Sequence, residues 1–194
     1  MTTNIAIIGS GNVGSALARG LTSAGHEVRA VGRDKKAVRE AVTWGDVVLL
    51  AVPYGALDDV VKDVGDALAG KTVIDATNAL DASMSLAVGF TTSGAEELQR
   101  KLPGARVVKA FNTVFAEHMS SGRLGKEPLT AFVAADDANA RQTVMELARG
   151  IGFEPVDAGP LKNARLLEPL GFLNIQLGYV LGKGTKIGFK LLDG

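Results

Sequence analysis

An open α/β sheet, mostly parallel and covered on both faces, is what the sequence predicts, and three observations predict it. Short apolar runs alternate with helix-compatible stretches from Asn4 to Asp157. The first run ends in a glycine-rich turn, Gly9 to Gly14, that leads into a stretch of small residues. Hydrophobic residues make up 46% and charged ones 22%, enough for one sizeable core and too little net charge for disorder. A length of 194 residues suits one domain with a short appendage.

Asn4 to Ile8 reads as a strand, Gly9 to Gly14 as a turn, and Ser15 to Ala24 as a helix that Gly25 ends. Later strands follow at Val28 to Val31, Val47 to Val52, Thr72 to Asp75, Arg106 to Phe111, Thr130 to Ala134 and Glu154 to Asp157. Their apolar character suits strands buried on both faces. Helices fit Lys36 to Thr43, Leu57 to Leu68, Ala95 to Leu102 and Ala138 to Ile151, and the alternation predicts a parallel sheet with right-handed crossovers. Only fifteen residues, Gly32 to Asp46, separate the second strand from the third, too few for the usual intervening strand and its two helices. The second strand should therefore be a sheet edge. The expectation is a doubly wound Rossmann-type domain over residues 1–158, with a shortened strand 2 to strand 3 interval. Residues 159–194 should form a short C-terminal helical segment packing over the cofactor site, within one structural unit. Glu168 to Leu181 is apolar at roughly helical spacing, which suits packing over the sheet and leaves a homodimer open.

Composition removes several function classes. Lys plus Arg and Asp plus Glu each number 21, so the formal net charge is zero, which argues against nucleic acid and anionic membrane partners. No apolar run reaches the ~18 residues of a membrane span and no basic leader precedes the first strand, which predicts a cytoplasmic protein. The absence of cysteine excludes disulfides and thiolate metal sites, and no His and carboxylate cluster has metal-ligand spacing. There is no G-x-S-x-G nucleophile turn either.

The chemistry rests on turns at strand ends. Gly9-Ser10-Gly11-Asn12-Val13-Gly14 matches G-x-G-x-x-G between a strand and a helix, the context in which the motif binds a dinucleotide. Gly9 permits the tight turn, Gly11 the approach of a pyrophosphate, and Gly14 close helix packing, with the helix N-terminus facing the phosphates. The tip of the second strand, Gly32-Arg33-Asp34-Lys35-Lys36, lacks the usual carboxylate at its end. Arg33 with Lys36 suits a 2'-phosphate and hence NADP. The alternative is that both are solvated charges and Asp34 binds the ribose of NAD. Ala51-Val52-Pro53-Tyr54, Ala76-Thr77-Asn78 and Ala110-Phe111-Asn112 should line the crevice beyond the carboxyl ends of the strands. Pro53 would lie beside the nicotinamide ring, and Asn78 and Asn112 offer amides to a ligand or, alternatively, serve their own turns. Neither histidine, His26 or His118, stands in a dyad. Hydride transfer needs orientation more than an acid or base, which fits such a crevice.

These motifs resemble the NADPH-dependent deazaflavin (coenzyme F-420) reductases over nearly the whole chain. The resemblance rests on the glycine turn, on Gly32-Arg33, and above all on Asp157-Ala158-Gly159-Pro160-Leu161-Lys162-Asn163-Ala164-Arg165-Leu166-Leu167-Glu168, continued by Leu173-Asn174-Ile175 and Gly188-Phe189-Lys190-Leu191-Leu192. It implies that Ser10, Arg33 and Lys36 bind the 2'-phosphate and that the turn from Gly159 to Leu161 closes over the nicotinamide. It also implies hydride passage between NADP(H) and a small-molecule acceptor, coenzyme F-420, with Asn112, Pro53 and Leu161 at the reacting end. Archaeal members carry a histidine at the position of Asn112. Val108-Lys109-Ala110-Phe111-Asn112 is instead similar to the cytosolic domain of six-transmembrane ferric reductases, which use NADPH and a flavin, so FMN or FAD is the second acceptor implied. A reading from another class is a dinucleotide-binding redox sensor without turnover.

Overall fold

The computed structural model describes residues 2–193. In chain order the elements that position the site are β1 (Asn4–Ile8), α1 (Asn12–Ser23), β2 (Glu27–Val31), α2 (Lys35–Trp44), β3 (Val47–Leu50), α3 (Leu57–Val64) and β4 (Thr72–Asp75). They continue with α4 (Gly94–Lys101), β5 (Arg106–Lys109), β6 (Arg123–Leu124), β7 (Glu127–Pro128), β8 (Thr130–Ala135), α5 (Ala138–Ile151), β9 (Glu154–Asp157) and α6 (Ala164–Ile175). A seven-stranded sheet has the order β2-β1-β3-β4-β5-β8-β9, so β2 is an edge strand, as the short interval after it predicts.

Alternation along each strand feeds two cores. Ile5, Ile7, Leu49 and Ile74 point to the face covered by α1 and α5. Ala6, Ile8, Leu50 and Val73 point to the other, where Val38, Leu57 and Leu98 of α2, α3 and α4 close over them. Burial on both faces explains the near-continuous apolar runs.

The sheet is mostly parallel, as expected, and departs from parallel at one place. β1, β2, β3, β4 and β5 pair in parallel, but β8 runs antiparallel to β5, with Val108 opposite Ala135 and Lys109 opposite Ala134. β9 is parallel to β8, so both are reversed. The cause is the connection between them: it holds a 3-10 turn at Ala116–His118 and the small β6–β7 hairpin, and no α-helix to carry the chain back across the sheet. The helix Leu57 to Leu68 is also shorter than predicted, because Gly65–Leu68 tightens into a 3-10 turn. Among the described residues no helix is long and apolar enough to cross a membrane.

Candidate functional site

The glycine turn is stitched into the sheet at both ends. Gly9 N–H donates to Val31 O at 2.9 Å, and Ala51 N–H donates to Ile8 O at 2.8 Å. Gly9 has a φ of +116°, and a Cβ there would meet Ala51 O at 2.2 Å; a Cβ on Gly14 would meet Gly9 O at 1.8 Å. Only glycine fits either position. Gly11 differs, since a Cβ there would meet nothing within 4 Å. It opens α1 with no side-chain cap, which leaves the leading N–H groups of the helix facing open space suited to an anion.

Two cavities meet along the carboxyl edges of the parallel strands. One, of about 270 Å³, is lined by Gly11, Asn12, Val13, Pro53, Thr77 and Asn78, with Ala51 and Val52. The other, of about 460 Å³, runs to the tip of β2 and includes Gly32 and Arg33. Val52 and Pro53 line both, so the two form one crevice. Ser10 stands at its bend, with its Oγ 3.3 Å from where a Cβ on Gly32 would lie. Arg33 is exposed and has no ion pair among the described residues. Asp34 is committed elsewhere: its carboxylate caps α2 by accepting from Ala37 N at 2.7 Å. A third cavity of about 360 Å³ adjoins at Asn12 and is walled by Arg19, Phe115 and Tyr179, whose rings meet edge-on at 5.5 Å.

Several residues expected in the crevice lie elsewhere. Lys36 faces solvent beside Glu40, one helical turn on, and Lys35 lines the cavity instead while paired to Asp63 at 2.9 Å. Tyr54 turns onto α4, where its hydroxyl donates to Glu97 Oε2 at 2.6 Å; burial first, then that carboxylate, push its pKa well above the ordinary value. Gly159 accepts from Ala135 N–H, and Leu161 is a fully buried member of the core between the sheet and α4. The structure does not bring either to the crevice. Because β9 is reversed, the chain leaves it at the level of Ala135 and Asp136 rather than at the carboxyl edge of β1, β3 and β4.

Asn112 lies behind the cavity wall. Phe111, with a φ of +67°, turns the chain at the end of β5 so that Asn112 meets Asn78. The Asn112 amide donates to Asn78 Oδ1 at 3.2 Å and to Leu167 O at 2.8 Å, and Asn78 returns a bond to Asn112 O. Gly171 of α6 packs against this pair, leaving no room for a Cβ. Asn112 therefore fastens α6 to the strand ends, and Asn78 is the amide that reaches the cavity.

Beneath the wall is a cluster that the sequence analysis missed. Lys109, Asp75 and Glu168 are fully buried, and Lys109 Nζ lies 2.9 Å from Asp75 Oδ2, 2.9 Å from Glu168 Oε1 and 2.8 Å from Thr77 O. Burial acts to lower the Lys109 pKa, but the two facing carboxylates overcome it and hold the ammonium above the usual lysine value. Glu168 also accepts from Gly94 N and Ala95 N at the start of α4. A signal was present: a lysine inside the apolar run Val107-Val108-Lys109-Ala110 needs a buried partner, and Asp75 ends the neighbouring run. Thr77, 4% exposed, has the one buried side-chain polar atom without a hydrogen-bond partner among the described residues, its Oγ1.

Sheet order, glycine turn and edge crevice define a Rossmann-type protein with dinucleotide-binding geometry at its first turn. Comparison with known proteins narrows the class. The family described as NADP oxidoreductase coenzyme F420-dependent matches residues 4–79. The F420-dependent NADP reductase of Methanothermobacter marburgensis is 32% identical over 205 residues, covering 89% of this chain and 91% of its own length. The chain belongs to the F420-dependent NADP reductase family. Metalloreductase STEAP3 of Rattus norvegicus is 31% identical over 86% of this chain, which spans 36% of that protein's length. Among solved structures, one described as a putative F420-dependent NADP reductase from Arthrobacter sp. FB24 superposes with a TM-score of 0.89 at 29% identity, covering 98% of this chain and 100% of that one.

Proposed function

We propose that this protein is an NADPH-dependent oxidoreductase that passes hydride between NADP(H) and a planar acceptor, coenzyme F-420 first and a flavin second. The observation that carries the reading is the state of the β2 tip: Arg33 lies on the cavity without an acidic partner, while Asp34, the carboxylate that would select NAD, is spent on capping α2. The names of the related reductases support the same cofactor and acceptor.

The residues present fit a dinucleotide. Open space over Gly11 leaves room for a pyrophosphate at the N-terminus of α1, and Ser10 with Arg33 suits a 2'-phosphate. Val52 and Pro53 would wall the nicotinamide half, with Pro53 offering no N–H to compete for its polar groups. The Asn78 amide, held in place by Asn112, is the polar group at that end. A bound nicotinamide supplies the hydride itself. Among the described residues no titratable side chain lines this part of the crevice, so the protein contributes orientation and exclusion of water. Beside Asn12, Tyr179, edge-on to Phe115, offers a planar acceptor an aromatic ring.

The test follows NADPH oxidation by absorbance with coenzyme F-420, FMN and FAD offered separately and NADH run in parallel. Turnover with F-420 and NADPH is the expected result. Turnover with flavin alone would move the acceptor to the second choice. NADPH binding without turnover on any acceptor would replace the enzyme by a redox sensor.

A further inference from the structure

The cavity at the tip of β2 carries charges of both signs. Arg33 and Lys35 line it from the end of β2 and the start of α2, and Asp59 and Asp63 line it from α3. Among these four side chains the one close pair is that of Lys35 Nζ with Asp63 Oδ1, at 2.9 Å. The Lys35 side chain is 77% exposed, so its ammonium is open to a ligand in the cavity, and a pair so exposed contributes little to stability. Nor does this pair join the two helices. Arg39 of α2 donates to Asp63 O at 2.6 Å and pairs with Asp66 at 3.3 Å, so α2 and α3 stay fastened when Lys35 lets go. Which ligand can take the ammonium then follows from charge. A ribose 2'-hydroxyl is neutral and does not displace a carboxylate from an ammonium. A 2'-phosphate, with about two negative charges and three acceptor oxygens, does.

We propose that Asp63 is a competitor built into the 2'-phosphate site: it holds Lys35 in the free protein and yields it to the phosphate as a second cation beside Arg33. The carboxylate thereby limits how tightly NADP(H) is held, which suits a nucleotide that must leave at every turnover. This rests on the NADP reading above. Lys35 is the contact, and Asp63 acts through it.

Calorimetry with NADPH, NADH and adenosine 2',5'-bisphosphate tests the proposal. Lys35→Gln should weaken NADPH and the bisphosphate by about fivefold and leave NADH unchanged. Asp63→Asn, which keeps the shape and removes the charge, should tighten the same two ligands by about three- to fivefold, again with NADH unchanged. In the Lys35→Gln background the Asp63→Asn change should have little effect on NADPH. Both variants should melt close to the wild type, since the Arg39 contacts remain; if Lys35→Gln does not fold, Lys35→Met is read in the same way. Unchanged NADPH affinity in the Lys35 variant would overturn the proposal and leave Arg33 and the dinucleotide reading standing. Weaker NADPH binding by Asp63→Asn would also overturn it, because the carboxylate would then orient Lys35 rather than compete for it. Tightening that persists without Lys35 would overturn it too, by making Asp63 a direct repulsive charge. A wild-type protein that binds neither NADPH nor NADH would overturn the dinucleotide reading itself, and one that binds both equally would overturn the choice of NADP.

Discussion

The proposed choice of NADP turns on Arg33, the cation on the crevice with no ion pair among the described residues. Arg33→Ala should weaken NADPH by about tenfold to a hundredfold, the ~1.5–3 kcal/mol of a charge-assisted contact, and leave NADH nearly untouched. Titration of both nucleotides into both proteins checks this, and equal losses would remove Arg33 from the 2'-phosphate. Sequence made this residue visible because its signal is an absence: no acid stands at the end of the second strand. Lys36 shows the limit of such reading. Its distance along the chain suits the fork, but α2 begins at Lys35, and the helical turn rotates Lys36 toward Glu40 and away from the cavity. Asn112 was legible as a strand-end amide, whereas its use as a fastener for Leu167 depends on where α6 lies, which no local spacing encodes.

At the scale of elements, α6 connects most of what the site needs. It crosses the carboxyl ends of β4 and β5, bringing Leu167 to Asn112, Glu168 to Lys109 and Gly171 to Asn78. Its first turn is tied to α4 by Arg165, which donates to both Glu96 oxygens at 2.8 and 2.7 Å. The Arg165 hydrogen bonds, against opposing burial, hold the Glu96 pKa below its ordinary 4.5. A carboxyl with a lowered pKa in the folded state stabilises above its unfolded value and loses that contribution as pH falls through the folded one. Glu96→Gln should therefore melt below the wild type at neutral pH, with the gap closing as pH drops below about 4.5; thermal melts across that range check it. The parallel half of the sheet was legible because each strand there is a short apolar run separated by a helix. The reversal of β8 and β9 was not, since direction depends on the path between Phe111 and Thr130, and that path has neither a helix nor a clear periodicity. The misplacement of Gly159 and Leu161 follows from the same reversal.

For the molecule as a whole, the segment after β9 adds a wall to the sheet rather than a body beside it. Leu161 and Ala164 belong to the same core as Leu57 and Leu98. Unfolding should accordingly appear as one transition, with calorimetric and van't Hoff enthalpies equal; two resolved peaks would show that the C-terminal segment melts alone. The buried ionic cluster also sets an order of events during synthesis. Lys109 and Asp75 leave the ribosome well before Glu168, and 74 residues separate Gly94 from the glutamate that caps its N–H. Until that glutamate arrives, five strands can pair, but the start of α4 and the lysine at the sheet's centre lack their shared counter-charge. The support behind the crevice is thus completed by one of the last helices to be made.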